Sequence, residues 1–333
     1  MAAGRMTRAP LSRPQAARAK AAERQRATAA AKKAERAKQR YGPLRDRVVR
    51  PATLKRYRRH MKEFFDWCRK TGLKVPSTVE DFDEQLCQWA ECLWAEGDAR
   101  AILGNALCGF SHSVGALRGK LNGVWRLYQA WGRSEKVSQA PPLTASMMRG
   151  VAGWFAKEGL TATATGILLA HNCILRIQEL TDLRPGDVTF ARNVAVIVLR
   201  DTKIGARTGV HQEVPCKDPW LLERLRRACK DARPGAPLIG ITAYEFRKLW
   251  RRACAALSIP KRYTPYSLRR GGATSLFVWC GKYDKVCEKG RWQSTRAMRA
   301  YLNQALLDLA SDGELDAWHE LHNRFAQHLH QMP

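Results

Sequence analysis

One stretch of the sequence has the pattern of paired β-strands, and it interrupts a chain whose other patterns are helical. The segment NVAVIVLRDTK, residues 193 to 203, is rich in β-branched residues, and GVHQEVPC, residues 209 to 216, follows it after the short loop IGART. Two such runs joined by a short glycine-containing loop predict a strand pair. The expected fold class is therefore mainly α with a small antiparallel β-sheet.

Apolar residues recur at helical spacing in most of the remaining chain. One helix is expected from Thr53, where an apolar face lies beside a basic face. Further helices are predicted from periodicity and from start and stop signals. Their ranges are about 80–96, 98–113, 115–132, 144–157, 162–181, 218–231, 242–257, 266–281, 283–289, 294–308 and 312–330.

The predicted elements divide the chain into an arm and two domains. The first 40 residues carry twelve basic and two acidic side chains and very few large apolar ones, so they cannot form a core. We expect a basic, disordered arm over residues 1–46 and a compact helical module over 47–135. The proline-containing stretch at 136–143 is the expected linker, and 144–333 is the second, larger domain.

The charge of the chain points to a polyanionic partner. The 58 Lys and Arg residues against 30 Asp and Glu give a net charge of +28. A solvated basic surface without a partner is the alternative, and an anionic membrane would need an apolar insertion face that the sequence lacks. We expect a polyanion such as a nucleic acid as the partner, contacted by the basic face of the first predicted helix. The residues of that face are Lys55, Arg58, Arg59 and Lys62.

The cysteines give no sign of a disulfide framework or a metal site. The ten are scattered without a C-x-x-C pair. This pattern is typical of buried, reduced thiols in an intracellular protein, and no run of apolar residues is long enough for a membrane span.

Three separated segments carry side chains suited to phosphodiester chemistry. Such chemistry without a metal needs a nucleophile, cations for the phosphoryl oxygens and an acid for the leaving oxygen. ILRIQELTDL, 174–183, contains Arg176 and Glu179, and TPYSLRRGGATSLF, 264–277, contains Arg269. GRWQSTRAMRAYL, 290–302, places Tyr301 nine residues after Trp292, with a serine helix cap between them.

In order and spacing, these segments resemble the two arginine boxes and the tyrosine box of the tyrosine recombinase (phage integrase) family. Lys203 also lies where the family has a lysine between the second and third strands of a small sheet, and Val214 and Pro215 match the end of the third strand. The resemblance covers nearly all of residues 50 to 310. Together the three boxes form a strong joint signal, although each alone is weak.

The resemblance implies a fold and a chemistry. The fold would be a two-domain clamp around double-stranded DNA, made of a helical core-binding (DNA-binding) domain and a catalytic domain. Tyr301 would attack the scissile phosphate, forming a 3′-phosphotyrosine and releasing a 5′-hydroxyl. Arg176 and Arg269 would hold the non-bridging oxygens, with Glu179 in support, and Lys203 would protonate the leaving oxygen. Trp292 would donate its indole N–H to the phosphate. No metal or cofactor is implied.

One position departs from the family pattern. Where the second box normally begins with histidine, this chain has Tyr266, and Trp292 fills the family's other histidine position. A tyrosine can hydrogen-bond to phosphate but is a poor base near neutral pH, since its usual pKa is about 10. Slower catalysis, another route for the proton and an inactive protein all stay open, and His211 is a conceivable substitute.

The C-terminal segment is predicted to be a helix with one apolar side. Two partners are open for that side: its own domain, or a neighbouring protomer in a tetramer on two DNA duplexes, as the resemblance implies. The residues of the apolar side are Leu315, Trp318, Phe325 and Leu329.

The sequence thus predicts a site-specific DNA recombinase or integrase of a mobile element. The motif SLRRGGAT followed by GRW resembles the corresponding residues of eukaryotic mobile-element integrases. This resemblance would place the protein with DNA inside the cell, in the nucleus for a eukaryotic host. A type IB topoisomerase-like nicking and closing enzyme and a catalytically inactive DNA-binding relative are the alternatives.

Overall fold

The chain forms two compact units that meet between Val137 and Ser138, called unit 1 and unit 2. The computed structural model describes residues 24–34, 48–135, 139–200, 211–233, 235–302 and 316–332. Most of the predicted arm and part of the predicted linker lie outside these ranges, although residues 24–34 form an exposed helix, α1.

Unit 1 is helical in its described part. Proline at the first position opens α2, and Thr78 begins α3 with a reciprocal capping box with Asp81. The four helices after α1 enclose an aromatic core around Phe64 and Phe110. Their bounds are α2 Pro51–Lys70, α3 Val79–Ala95, α4 Arg100–Ser113 and α5 Asn122–Ser134.

The helix predicted at 115–132 was too long at its start. Residues Gly115–Leu117 form a short 3-10 turn, and Gly119 has a φ of +75°, which is incompatible with a continuing right-handed helix. The carboxylate of Asp83 accepts hydrogen bonds from the backbone N–H groups of Gly123 and Val124, at 2.7 and 2.9 Å. These bonds satisfy the first turn of α5, so the helix begins at Asn122.

Unit 2 has more helices and one small sheet. Side chains of Thr144, Asp218 and Thr242 cap the helices that they precede. The helices are α6 Ala145–Lys157, α7 Thr161–Asn172, α8 Ile177–Asp182, α9 Pro219–Asp231, α10 Ala243–Ala256, α11 Tyr266–Cys280, α12 Tyr283–Gly290, α13 Thr295–Arg299 and α14 Asp316–Ala326.

The described sheet has three antiparallel strands in the order β1-β2-β3. The predicted strand pair is confirmed as β2, Ala195–Leu199, and β3, Gln212–Cys216, with Ile197 opposite Val214. Strand β1, Val188–Phe190, is too short for its alternation to be recognised in the sequence. The mainly helical fold class with a small antiparallel sheet is therefore confirmed.

A single helix at 162–181 was the wrong expectation. The chain leaves α7 at Asn172 and starts α8 at Ile177, because Ile174 adopts a left-handed φ of +50°. Arg176 therefore precedes a new helix instead of ending a long one, and its backbone N–H donates to the carboxylate of Glu179 at 2.8 Å.

The C-terminal helix α14 packs on α6 of its own unit. A Cβ on Gly153 would lie 2.0 Å from the carbonyl oxygen of Phe325, so only glycine allows this approach. His322 is buried against Gly150, and its Nε2 lies 3.2 Å from the carbonyl oxygen of Leu257. Phe325 and Leu329 join the core of unit 2, whereas Leu315 and the side chain of Trp318 lie outside the described part.

All ten cysteines are unpaired, but only Cys68, Cys173, Cys216 and Cys254 are buried. The expectation of uniformly buried thiols was therefore wrong, since the other six are partly exposed. Within the described ranges, no helix combines the length and the apolar character that a membrane crossing requires.

Candidate active site

A small apolar cluster in unit 2 supports the three predicted boxes. Its fully buried members are Ile174 in the turn before Arg176, Ala273 in α11, Val286 in α12 and Met298 in α13. Trp292 and Tyr301 pack against this cluster from the more exposed side. The fold therefore brings the first box, the second box and the tyrosine box to one place.

The turn before Arg176 is the structural centre of the cluster. Ile174 is fully buried and β-branched, yet its φ is +50°, a conformation that costs about 1–2 kcal/mol for a residue with a Cβ. Its carbonyl oxygen accepts hydrogen bonds from the guanidinium groups of both Arg269 and Arg291. Such strain is typical of functional sites that the surrounding structure holds in place.

Arg269 is held as firmly as a core residue. It is 1% exposed, and besides Ile174 it donates to the carbonyl oxygen of Gly290 at 2.7 Å. Burial and the nearby charges of Arg176 and Arg291 lower its pKa to about 10, so the guanidinium stays protonated at neutral pH. Its Cζ lies 4.4 Å from the centroid of the Trp292 ring.

Close helix packing explains the glycines that follow the second-box arginines. A Cβ on Gly272 would lie 2.1 Å from the carbonyl oxygen of His171, and one on Gly271 would lie 2.2 Å from that of Leu143. Without side chains at these positions, α11 can approach the end of α7. This approach brings Arg269 to the turn that precedes Arg176.

Arg176 belongs to a chain of charges. Its Nη1 donates to Glu179 Oε1 at 2.5 Å, and Arg291 Nη2 donates to Glu179 Oε2 at 2.7 Å. Burial raises the pKa of Glu179, but the charge of Arg291 and the bonds from Arg176 outweigh it, so the pKa lies below its usual value. The Arg176 side chain is partly exposed, whereas those of Glu179 and Arg291 are buried.

Tyr301 follows a short helix. Ser294 caps α13 as predicted, accepting a hydrogen bond from the backbone N–H of Ala297 at 3.2 Å. The described helix ends at Arg299, and Tyr301 lies in the turn after it, so the helix predicted at 294–308 does not include Tyr301. Residues 303–308 of that prediction lie outside the described part.

Trp292 and Tyr266 flank Tyr301. The Trp292 and Tyr301 ring centroids are 4.6 Å apart. Trp292 Nε1 is buried and makes no hydrogen bond of good geometry within the described residues, but its N–H lies close enough to the Tyr301 hydroxyl to help lower the pKa of Tyr301. The Tyr266 hydroxyl donates a hydrogen bond to the Tyr301 hydroxyl. Tyr266 itself is 40% exposed.

The two tyrosine hydroxyls differ in acidity. Burial raises the pKa of Tyr266, and its hydrogen bond to Tyr301 raises it further, because ionised Tyr266 could no longer donate. Burial also raises the pKa of Tyr301, but the hydrogen bond from Tyr266 and the charge of Arg269 outweigh that effect. The pKa of Tyr301 therefore lies below its ordinary value of 10.0. Tyr301 is the better candidate for a phenolate.

Some predicted residues lie elsewhere or outside the described part. Lys203 falls in the undescribed stretch between β2 and β3, while Val214 and Pro215 lie in β3 as predicted. His211 is exposed just before β3.

In unit 1, the basic residues predicted to contact the nucleic acid lie exposed on α2. Arg59 pairs with Glu63 at 2.9 Å, and Lys62 pairs with Asp66 at 2.7 Å. The other two are Lys55 and Arg58.

Sequence reasoning missed two buried arginines at the site. Arg291 bonds to Glu179, and Arg270 donates to the carbonyl oxygen of Ala300 at 2.9 Å, just before Tyr301. Arg270 also donates to the Gln139 side chain at 2.6 Å. The only signal in the sequence was the density of arginines in SLRRGG and GRW, since periodicity does not show where a guanidinium points.

One cavity of unit 2 lies beside the site. It measures about 650 Å³, lies near α8 and β2, and has Glu179 in its wall. Tyr301, Trp292 and Arg269 do not line it.

Comparisons with known proteins bear on the fold. No family model matches the sequence, and no curated protein matches it. The structure is similar to that of a lambda integrase dimer bound to a COC′ core site, at 14% identity and a TM-score of 0.55, covering 78% of this chain and 91% of that one. It is also similar to the Tn1549 transposon integrase in complex with circular intermediate DNA, at 14% identity and a TM-score of 0.51, covering 76% and 97%. The chain has the fold of the tyrosine recombinases.

Proposed function

We propose that this protein is a DNA recombinase that cuts and rejoins strands through a phosphotyrosine at Tyr301. One observation carries the proposal. Side chains from three segments that span more than a hundred residues converge. Arg269 lies against both Trp292 and Tyr301. The carbonyl oxygen of Ile174, two residues before Arg176, accepts hydrogen bonds from both Arg269 and Arg291.

The converging groups match the needs of phosphoryl transfer. Arg176 and Arg269 supply fixed positive charge for the non-bridging oxygens of a phosphate. The buried N–H of Trp292 makes no hydrogen bond of good geometry within the described residues, and a phosphate oxygen beside Tyr301 would satisfy it. Partial exposure leaves Tyr301 accessible, and its lowered pKa reduces the free energy needed to form the phenolate.

The proposed reaction balances without an external energy source. The Tyr301 oxygen attacks phosphorus, the bond from phosphorus to the 5′-oxygen breaks, and Lys203 donates a proton to that oxygen. A 5′-hydroxyl attacking the 3′-phosphotyrosine reverses the step and rejoins a strand. The Tyr301 proton goes to a water molecule, because neutral Tyr266 is a poor base and acts as a hydrogen-bond donor to the Tyr301 oxygen.

The proposed mobile-element origin rests on a sequence motif and on the fold. The residues SLRRGGAT followed by GRW resemble those of mobile-element integrases, and the fold is shared with a transposon integrase. We propose that the DNA partner carries the ends of such an element, and that the protein works with DNA inside the cell. A homo-oligomer on two duplexes is proposed on the same resemblance.

The test is covalent attachment. The full chain and its Tyr301→Phe variant are incubated in EDTA with a supercoiled plasmid that carries the DNA flanking the coding sequence, and are then denatured with detergent. We expect the full chain to yield protein covalently bound to DNA. The Phe variant should yield none while it binds DNA with nearly unchanged affinity, because only the nucleophilic oxygen is removed.

Equal attachment by both proteins would refute Tyr301 as the nucleophile. DNA binding without attachment by either protein would favour the inactive DNA-binding alternative, for which Tyr266 in the histidine position is the motivating feature.

A further inference from the structure

Arg291 is a buried arginine at a position where the backbone favours glycine. It ends α12 with a φ of +59°, a conformation in which glycine is the usual residue at a helix C-terminus. Its side chain is only 5% exposed. An arginine that bears both backbone strain and burial needs a compensating interaction.

Four hydrogen bonds supply that interaction. Arg291 donates to the carbonyl oxygens of Cys173, Ile174 and Lys289 at 3.3, 3.2 and 3.2 Å, and to Glu179 Oε2 at 2.7 Å. The first two carbonyls belong to the turn before Arg176, while Lys289 belongs to the helix before Trp292. Arg291 therefore joins the segment that carries Arg176 to the segment that leads to Tyr301.

The charge balance gives Arg291 a second effect. Glu179 has one carboxylate, and Arg176 and Arg291 each occupy one of its oxygens. With Arg291 in place, its charge balances that of Glu179, and the charge of Arg176 remains in excess. Without Arg291, the carboxylate would be balanced by Arg176 alone, which would leave less net positive charge for a phosphate.

We infer that Arg291 is a positioning residue that neutralises Glu179 and thereby keeps the charge of Arg176 available to the DNA phosphate. The inference rests on the proposed function, since it names a further residue for the same site. Arg291 itself is assigned no direct contact with DNA, because its guanidinium already donates to four protein acceptors.

The test removes the two charges separately and together. Arg291→Gln should slow covalent attachment in a single-turnover assay by about 10-fold to 100-fold, the scale expected when charge at a developing phosphoryl anion is lost. Arg291→Lys keeps the charge and should lose much less. Arg291→Gln combined with Glu179→Gln should recover most of the lost rate, because no carboxylate remains to compete for Arg176. Arg252→Gln, which removes an exposed charge, is the matched control.

A binding measurement separates this inference from the proposed function. In the Tyr301→Phe background, Arg291→Gln should weaken binding to a duplex from the flanking DNA by several-fold, and Glu179→Gln should restore it. This binding measurement does not require a covalent product. A lack of covalent product would count against the proposed function but not against the role of Arg291.

Three results would overturn the inference. One is an Arg291→Gln protein with wild-type rate and affinity, and another is an Arg291→Lys protein that loses as much as Arg291→Gln. The third is a double variant no better than Arg291→Gln alone, since a purely structural role predicts no rescue. Should Arg291→Gln fail to fold, the double variant removes the buried carboxylate together with its buried partner, and a loss there of more than about 100-fold would also refute the inference.

Discussion

The two units use arginine in opposite ways. In unit 2, Arg269 is 1% exposed and its guanidinium is fixed by two backbone carbonyls from different segments. In unit 1, Arg59 lies on α2 with 73% of its side chain exposed, and it pairs with Glu63 one helical turn away. The first arrangement fixes a charge in position, whereas the second leaves a charge free to move.

This difference separates geometry from affinity. A buried and multiply bonded cation keeps one position, so its loss should affect the rate of a reaction at that position. An exposed cation in a weak surface ion pair can exchange its carboxylate for a phosphate at little cost, so its loss should affect DNA binding and its salt dependence. Substitutions of the fixed cations in unit 2 should therefore act mainly on the rate of attachment, with at most several-fold effects on affinity, whereas those on α2 should act on affinity and its salt dependence alone.

The largest effect is expected for Arg269→Lys. A single ammonium group cannot span the carbonyls of Ile174 and Gly290 as the guanidinium does, so the charge would no longer be fixed beside Tyr301 and covalent attachment should slow by about 10²-fold to 10³-fold. Single-turnover attachment at saturating protein measures this rate. Arg252→Lys should leave it unchanged, and an equally active Arg269→Lys protein would show that fixed geometry is not required.

A smaller effect is expected for Tyr266→Phe. Removing the donor to Tyr301 takes away one hydrogen bond that favours the phenolate, so the pKa of Tyr301 should rise. Attachment at neutral pH should slow by about 10-fold, and the rate should climb to its plateau at higher pH than in the wild type. Identical rate profiles from neutral to alkaline pH, as measured by quenched time courses, would contradict this account.

The smallest effect is expected on α2. Replacing Lys55 and Arg58 together with glutamine should weaken DNA binding several-fold and reduce the slope of log affinity against log salt by about 1 for each phosphate that is no longer neutralised. Attachment at saturating DNA should keep its rate, because these residues supply affinity and not the fixed charges around Tyr301. A decrease in rate at unchanged affinity would break the division between the units. The pair Arg227→Gln and Arg252→Gln removes equal charge from unit 2 as a control.

The sequence predicted the parts of the fold that depend on local periodicity. Helices with clear caps, such as α3 behind Thr78, and the strands β2 and β3 follow from spacing and turn residues. The positions where helices are interrupted were harder to predict. Gly119 and Ile174 have positive φ angles, and the spacing of apolar residues does not reveal a change of backbone conformation. Ile174 is the clearest case, since its left-handed backbone is stabilised by an arginine more than a hundred residues away.

The site was predicted in part for the same reason. Tyr301, Trp292, Arg176 and Arg269 were named from boxes with fixed spacing, and the structure brings them together. The roles of Arg291 and Arg270 depend on where long side chains end after folding, which spacing alone does not show. The hydrogen bond between Tyr266 and Tyr301 likewise joins residues 35 positions apart, so only the folded chain reveals which hydroxyl donates.

The central claim is that Tyr301, assisted by Tyr266, is the nucleophile. The most direct measurement is to trap the covalent complex on the flanking DNA, digest both components, and identify by mass spectrometry the peptide that carries the nucleotide. We predict that the nucleotide is attached to Tyr301, in a peptide that begins after Arg299. Attachment to Tyr266 or to any other residue would contradict the account.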